Sequence, residues 1–326
     1  MTNSHRHVIT RHPGATTHRG AEYRFPMHDR RLNIAAFVAM ALIGGGNPVG
    51  VVIAVQELPP FWAAALRFLA AGAVFAISVA LFRIPVPRRG ALTGALLYGL
   101  LGFFGAFAFL FWGLQETPAG TSQTIIALVP LLTLLFAIAH GIERFSVRAL
   151  IGSLVAFGGL AFLIADRIET NIPPLSLLAV VAGAVLLAES GIVLKMTPRS
   201  HPLATNAVGM IAGGGALLLL SAVIGDRWFL PTQSDTWAAM IFLVFGGSVA
   251  VFGLLVFLMG RWTASAVSYA LLLQPLATFV YSAILTGEPI TPGLFVGAAI
   301  ILAGVYIGAF SGSRATPAED QAAASA

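Results

Sequence analysis

The chain has 326 residues, 58% of them hydrophobic and only 10% charged, with a mean hydropathy of +0.89 and no cysteine. Soluble domains carry about 25% charged residues, so a soluble globular fold is excluded, and the missing cysteines exclude disulfide and thiol chemistry. The formal net charge of +5 does not point to nucleic acid, because the cations are confined to particular loops.

In chain order, residues 1–31 form a polar, unpatterned tail, expected to be disordered and cytoplasmic. Its histidines read as a solvated tail rather than a metal site. No short apolar core with a cleavage site follows, so a signal peptide is not expected here, and Met27 offers a second start. Ten apolar runs follow, near 32–55, 61–82, 91–112, 118–139, 147–165, 174–194, 203–224, 236–258, 263–285 and 292–310. Each is long enough as a helix to cross a hydrocarbon core of about 30 Å. They are too long and too weakly alternating for barrel strands. The connections leave no room for a soluble domain, and residues 311–326 form a second polar tail. The expected fold is an all-α membrane protein with ten transmembrane helices.

The first run is spoiled in its middle by "IGGGNPVG", residues 43–50. Pro48 removes the amide that would bond to Gly44, and Asn47 brings donors and acceptors near the bilayer centre. Broken backbone is tolerated at that depth only where it faces protein or a watery cavity. Two readings compete: a cavity wall with Asn47 touching substrate, or tight packing through small residues with Asn47 as interhelical glue. Arg67, in the second run, reads as snorkelling or bonding broken-helix carbonyls.

The third run carries Tyr98 and the aromatic stretch "FFGAFAFLFW" (103–112), and the fourth carries Gln123, Thr124 and Pro130. The sixth holds Glu189, an intramembrane carboxylate and so a functional candidate. Desolvation would raise its pKa and allow proton or ammonium binding; the competing reading has it reaching cytoplasmic water beside Lys195. Ser248 in the eighth run, and Tyr269 and Gln274 in the ninth, complete a candidate substrate pocket with Asn47, Tyr98, Gln123 and Glu189. Aromatic walls with a few polar tips suit aromatic or apolar amphipathic solutes. Pro275 lies halfway along the ninth run, as Pro130 does along the fourth. Both, with Pro48, are expected hinges.

Self-comparison finds a repeat. At an offset of 145, Pro130 falls on Pro275, Glu143 on Glu288, Ser146 on Thr291, Gly152 on Gly297 and Gly159 on Gly304. An offset of 142 places Pro60 on Pro202 and Asn47 on Glu189. The halves are 32–165 and 174–310. With five helices each, the second half enters the bilayer from the opposite face, the construction of secondary transporters with a central cavity at the repeat interface. Ser146 and Thr291 are expected caps of the fifth and tenth helices, and Glu143 and Glu288 structural groups near them. Glycines of those two helices are expected to pack within one protomer, so a monomer is expected.

With ten helices, 15 of the 18 Lys and Arg residues fall on one side, only Arg167 and Arg227 on the other, and Arg67 within the second helix. That asymmetry places both termini in the cytoplasm.

"GGGNPVGVVIAVQELPPFWAAALRFLAAG", "GIERFS…GSLVAFGG" and "TGEPITP…VGAAIILAGV" resemble the opening pair and the two repeat endings of the EamA family of the drug/metabolite transporter superfamily. The resemblance covers residues 32–310. It implies a ten-helix transporter of small metabolites in the bacterial inner membrane, without a cofactor, and amino acids, including aromatic ones, as substrates. The expected activity is export by alternating access; the alternative is proton-coupled multidrug efflux. An intramembrane enzyme is disfavoured because no nucleophile with a base and no metal set lies at midplane. A channel is disfavoured because no ring of like residues lines a pore, and no phosphate-binding loop supports ATP-driven pumping.

Overall fold

The computed structural model describes residues 30–142, 147–169, 171–198, 200–259, 264–289 and 291–307. Among them there are helices and turns and no strand. The first half comprises α1 (Arg30–Gly45), α2 (Asn47–Val55), α3 (Pro60–Leu81), α4 (Gly90–Tyr98), α5 (Phe107–Gly113), α6 (Ala119–Ile126), α7 (Val129–Ala139) and α8 (Val147–Glu169). The second comprises α9 (Pro174–Met196), α10 (Pro202–Ile224), α11 (Ser234–Ile241), α12 (Val251–Met259), α13 (Ala264–Leu285) and α14 (Pro292–Val305). Among the described residues, seven continuous helical stretches are long and apolar enough to cross a membrane, and Leu150–Leu163, Leu273–Leu285 and Pro292–Val305 are shorter apolar helices. Outward faces carry large apolar side chains, Leu81 and Ile284 among them, which suits a lipid solvent.

Proline sets many of the starts. Pro60, Pro174, Pro202 and Pro292 open α3, α9, α10 and α14, where the missing N–H belongs to the helix's unbonded first turn. Thr291 caps α14 by accepting from Leu294 N at 3.1 Å, as expected. Its repeat mate Ser146 and the neighbouring Glu143 lie outside the described residues.

The repeat is visible in the packing. α3 lies against α10 and α8 against α14, the two most extensive pairings, and each joins a helix to its own repeat mate. α1 packs on α13, while α9 packs on α6 and α7; exchanging the halves turns one contact into the other. The glycines of α8 and α14 serve this internal pairing, since a Cβ on Gly304 would lie 2.4 Å from Ala156 N.

Among the described residues, two long segments widen to π-helix, Gly99–Ala106 between α4 and α5 and Phe242–Ala250 between α11 and α12. They occupy corresponding places in the halves. The first packs on α9 and α10, the second on α1 and α3. Such wide turns loosen the helical register and recur at functional sites.

The expected proline breaks differ between the halves. α1 and α2 part at Gly46, with Pro48 in the first turn of α2. α6 and α7 part at Ala127–Leu128, with Pro130 in the first turn of α7. Pro275, the mate of Pro130, lies inside an uninterrupted α13.

At the end of the bundle where α2 turns into α3, the halves are tied together. Glu57 accepts from Thr232 N, Thr232 Oγ1 and Gln233 N at 2.5, 2.7 and 3.3 Å. Trp62 stacks on Trp228 at 5.4 Å and donates to Phe229 O at 2.7 Å. Thr232 and Thr236 hydroxyls and the Thr232 and Gln233 amides hold the Glu57 carboxyl down at about 2, hydrogen bonding to the charged form being the cause.

Candidate functional site

A cavity of about 400 Å³ lies between the two halves, within the roughly 300–1,000 Å³ usual for small-molecule sites. Of three larger depressions, those of about 650 and 740 Å³ are almost wholly apolar grooves without convergent polar groups, while one of about 540 Å³ beside α2 and α11 carries Gln56, Gln233, Asp235 and Thr236. The central cavity joins aromatic walls, including Phe103 and Phe107, to polar side chains drawn from both halves, Asn47, Arg67, Tyr98, Gln123 and Gln274.

The α1–α2 break forms one wall. Gly44 and Gly45 let α13 approach: a Cβ on Gly45 would lie 2.7 Å from Ala277 Cβ and 2.8 Å from Gln274 O. Thr278 Oγ1 donates to Gly45 O at 2.6 Å and lies 2.9 Å from Gln274 O, which satisfies backbone next to the break. Asn47, half-buried, faces the cavity. Its Oδ1 accepts from Arg67 Nη2 at 2.7 Å, so Asn47 both borders the cavity and ties α2 to α3.

Arg67 is 2% exposed and borders the same space. Its Nε donates to Ser248 Oγ at 3.1 Å and Nη2 also donates to Gly247 O at 3.3 Å. The guanidinium lies over Phe68 and Phe107, 5.0 and 5.2 Å from the ring centres, close enough for cation–π attraction. Arg67 does not snorkel, being buried, and the carbonyl it bonds is Gly247 O in the second π segment rather than one at the break of residues 43–50. Sequence reasoning missed that Arg67 is also part of the cavity wall. A lone intramembrane cation in a chain with so few charges was the available signal.

Gln123 and Gln274, far apart in sequence, meet in the cavity wall, with Gln123 Nε2 donating to Gln274 Oε1 at 3.1 Å. Tyr98 joins them from the end of α4, its ring edge-on to Phe103 at 5.1 Å. Ser248 stands behind the wall: it is fully buried and donates to Leu243 O at 3.0 Å. The side chain of Tyr269 lies outside the described residues.

Glu189 does not line the cavity. Its neighbours Ser190 and Gly191 do, and a step of one residue turns a helical side chain by about 100°. Glu189 Oε1 instead lies 3.3 Å from Nε2 of His140, at the end of α7. Glu288 is likewise structural: its Oε2 accepts from Gly120 N at 2.9 Å and Ser282 Oγ at 2.6 Å, tying α6 to α13.

A two-part match then decides the family: the model of the EamA-like transporter family fits residues 31–165 and again 174–309. The chain belongs to the EamA-like transporter family. Like its EamA relatives it is a multi-pass membrane transporter and not an enzyme. It is 28% identical over 284 residues to a "Probable amino-acid metabolite efflux pump" of Salmonella typhimurium, covering 83% of this chain and 92% of that protein. It is 25% identical over 276 residues to the "Uncharacterized inner membrane transporter YedA" of Escherichia coli, covering 83% and 89%. A solved structure described as "Crystal structure of protein" shares the fold, with a TM-score of 0.62 at 20% identity over 88% of this chain and 100% of that one. The two EamA units match the halves set out by the internal repeat, and the central cavity lies where they meet.

Proposed function

We propose that the protein exports small amphipathic metabolites, with aromatic or apolar amino acids as the leading substrates, by alternating access across the bacterial inner membrane. In this reading the ten helices form two inverted five-helix repeats, both termini are cytoplasmic, and the solute occupies the central cavity. Asn47, Tyr98, Gln123 and Gln274 contact it, and Pro48, Pro130 and Pro275 act as hinges.

The observation that carries the reading is the cavity between halves whose contacts interchange when the halves are exchanged. Such symmetry provides two arrangements of similar energy, one for each side of the membrane. The halves also differ in conformation at their mates, broken at Pro130 and continuous through Pro275, as unequal members of an alternating pair should. The efflux names of relatives at 26–28% identity support export of amino acids.

The test is counterflow in liposomes of purified protein loaded with unlabelled phenylalanine, leucine or alanine and supplied with tracer outside. Accumulation of tracer phenylalanine or leucine above protein-free liposomes is expected. No accumulation of any amino acid would refute the substrate assignment.

A further inference from the structure

We infer that Arg67 is the subsite for an anionic group, so that the cavity accepts solutes carrying a carboxylate and turns away cationic amphiphiles. This rests on the transport reading above and narrows its substrate class.

A guanidinium has five donors in a fixed fork. On Arg67 the Nε and Nη2 edge is engaged by Ser248, Asn47 and Gly247, while Nη1 is buried with no hydrogen-bond partner. Every acceptor is neutral. Among the described residues Arg67 is the one charged side chain bordering the cavity, and no carboxylate borders it. The nearby acid of the sixth apolar run, Glu189, is turned toward His140.

A buried charge without a counter-ion is expensive, and in a membrane it marks a functional position. The two ring faces of Phe68 and Phe107 recover only part of that cost. Tying Asn47 and a π-segment carbonyl in place needs donors but not a permanent charge. The charge has a purpose if an anion visits. A carboxylate oxygen can accept a charge-assisted bond from the unpartnered Nη1, and gains the parallel two-bond fork if Nη2 releases Asn47 or Gly247. Phe107 borders the cavity and lies over the guanidinium, so the charge sits directly behind the cavity wall. The other polar lining groups, Asn47, Tyr98, Gln123 and Gln274, are neutral. A solute ammonium would therefore meet dipoles where a carboxylate meets a full charge, and a solute of net positive charge would be repelled.

The experiment is the thermal unfolding of the full chain, purified, titrated with three solutes that share one ring: phenylalanine, phenylacetate and phenethylamine. Both carboxylates are expected to raise the unfolding temperature of wild type. Phenethylamine should half-saturate at about tenfold higher concentration or more, as expected for losing a hydrogen bond to a charge. Arg67→Gln should abolish the response to the carboxylates, and Arg67→Lys should keep part of it. Equal stabilisation by phenethylamine and phenylalanine would overturn the anion subsite while leaving export of amphipathic solutes standing. So would an undiminished carboxylate response in Arg67→Gln. A response to phenylacetate without one to phenylalanine would instead sink the amino-acid reading and keep the subsite. Silence toward both carboxylates in wild type overturns the subsite, and that arm decides the matter even if the variants do not fold.

Discussion

Gly99 opens the first π segment at the point where it crosses α10, and the crossing is made backbone to backbone. A Cβ built on Gly99 would lie 2.3 Å from Gly209 O and 2.6 Å from Gly209 Cα, and one on Gly213 would lie 2.6 Å from Gly99 O. Ordinary contact needs about 1 Å more. No side chain can rotate to provide it, so in Gly99→Ala α10 must move bodily, together with α3, its most extensive partner. Forced overpacking costs about 1–3 kcal/mol, offset by up to ~1 kcal/mol because alanine loses less backbone freedom than glycine. A net loss of about 1–2 kcal/mol is roughly 5- to 30-fold in the folding equilibrium. The matched control is Gly215→Ala, also on α10, where a Cβ meets nothing within 4 Å; it should be neutral or stabilised by up to ~1 kcal/mol. Both can be followed by tryptophan fluorescence of detergent-solubilised protein during graded unfolding in dodecyl sulfate. If the two variants unfold together, close backbone contact at Gly99 is not what holds α10 in place.

Three further outcomes are expected. The Glu57 carboxyl is held at about 2 in the folded chain against an ordinary 4.5, so its stabilisation is complete above about 4.5 and fades as pH falls toward 2. The unfolding-temperature gap between wild type and Glu57→Gln should thus be smaller at pH 3 than at pH 6, and a gap independent of pH would contradict the tie to Thr232. Glu189→Gln should leave phenylalanine affinity within about twofold, because its carboxylate faces His140; a tenfold loss, about 1.4 kcal/mol, would bring Glu189 back into the cavity. For topology, alkaline phosphatase fused after Ala326 should be inactive in cells while a fluorescent protein fused there glows, and an active phosphatase would place that terminus outside.

Much of this protein is legible in its sequence because lipid leaves few choices. Apolar runs of membrane length must be helices, since no water is present to satisfy an unbonded backbone. The break at residues 43–50 is visible as glycine, asparagine and proline where a helix should continue, and Asn47, Tyr98, Gln123 and Gln274 stand out as polar residues in apolar runs. The two offsets at 142 and 145 reveal the halves before any contact is seen. What tertiary structure decided was the facing of side chains and the use made of spare donors. Ser190 and Gly191 border the cavity while Glu189 meets His140, a choice set by the rotation of α9 about its axis, which apolar periodicity cannot give when a helix is buried or lipid-coated on every side. Pro130 interrupts its helix and Pro275 does not, because identical residues in exchanged halves meet different neighbours. Arg67 could be seen as a cation in lipid, but its three neutral partners come from α2 and from a π segment 180 residues away, and only folding brings those groups to one point.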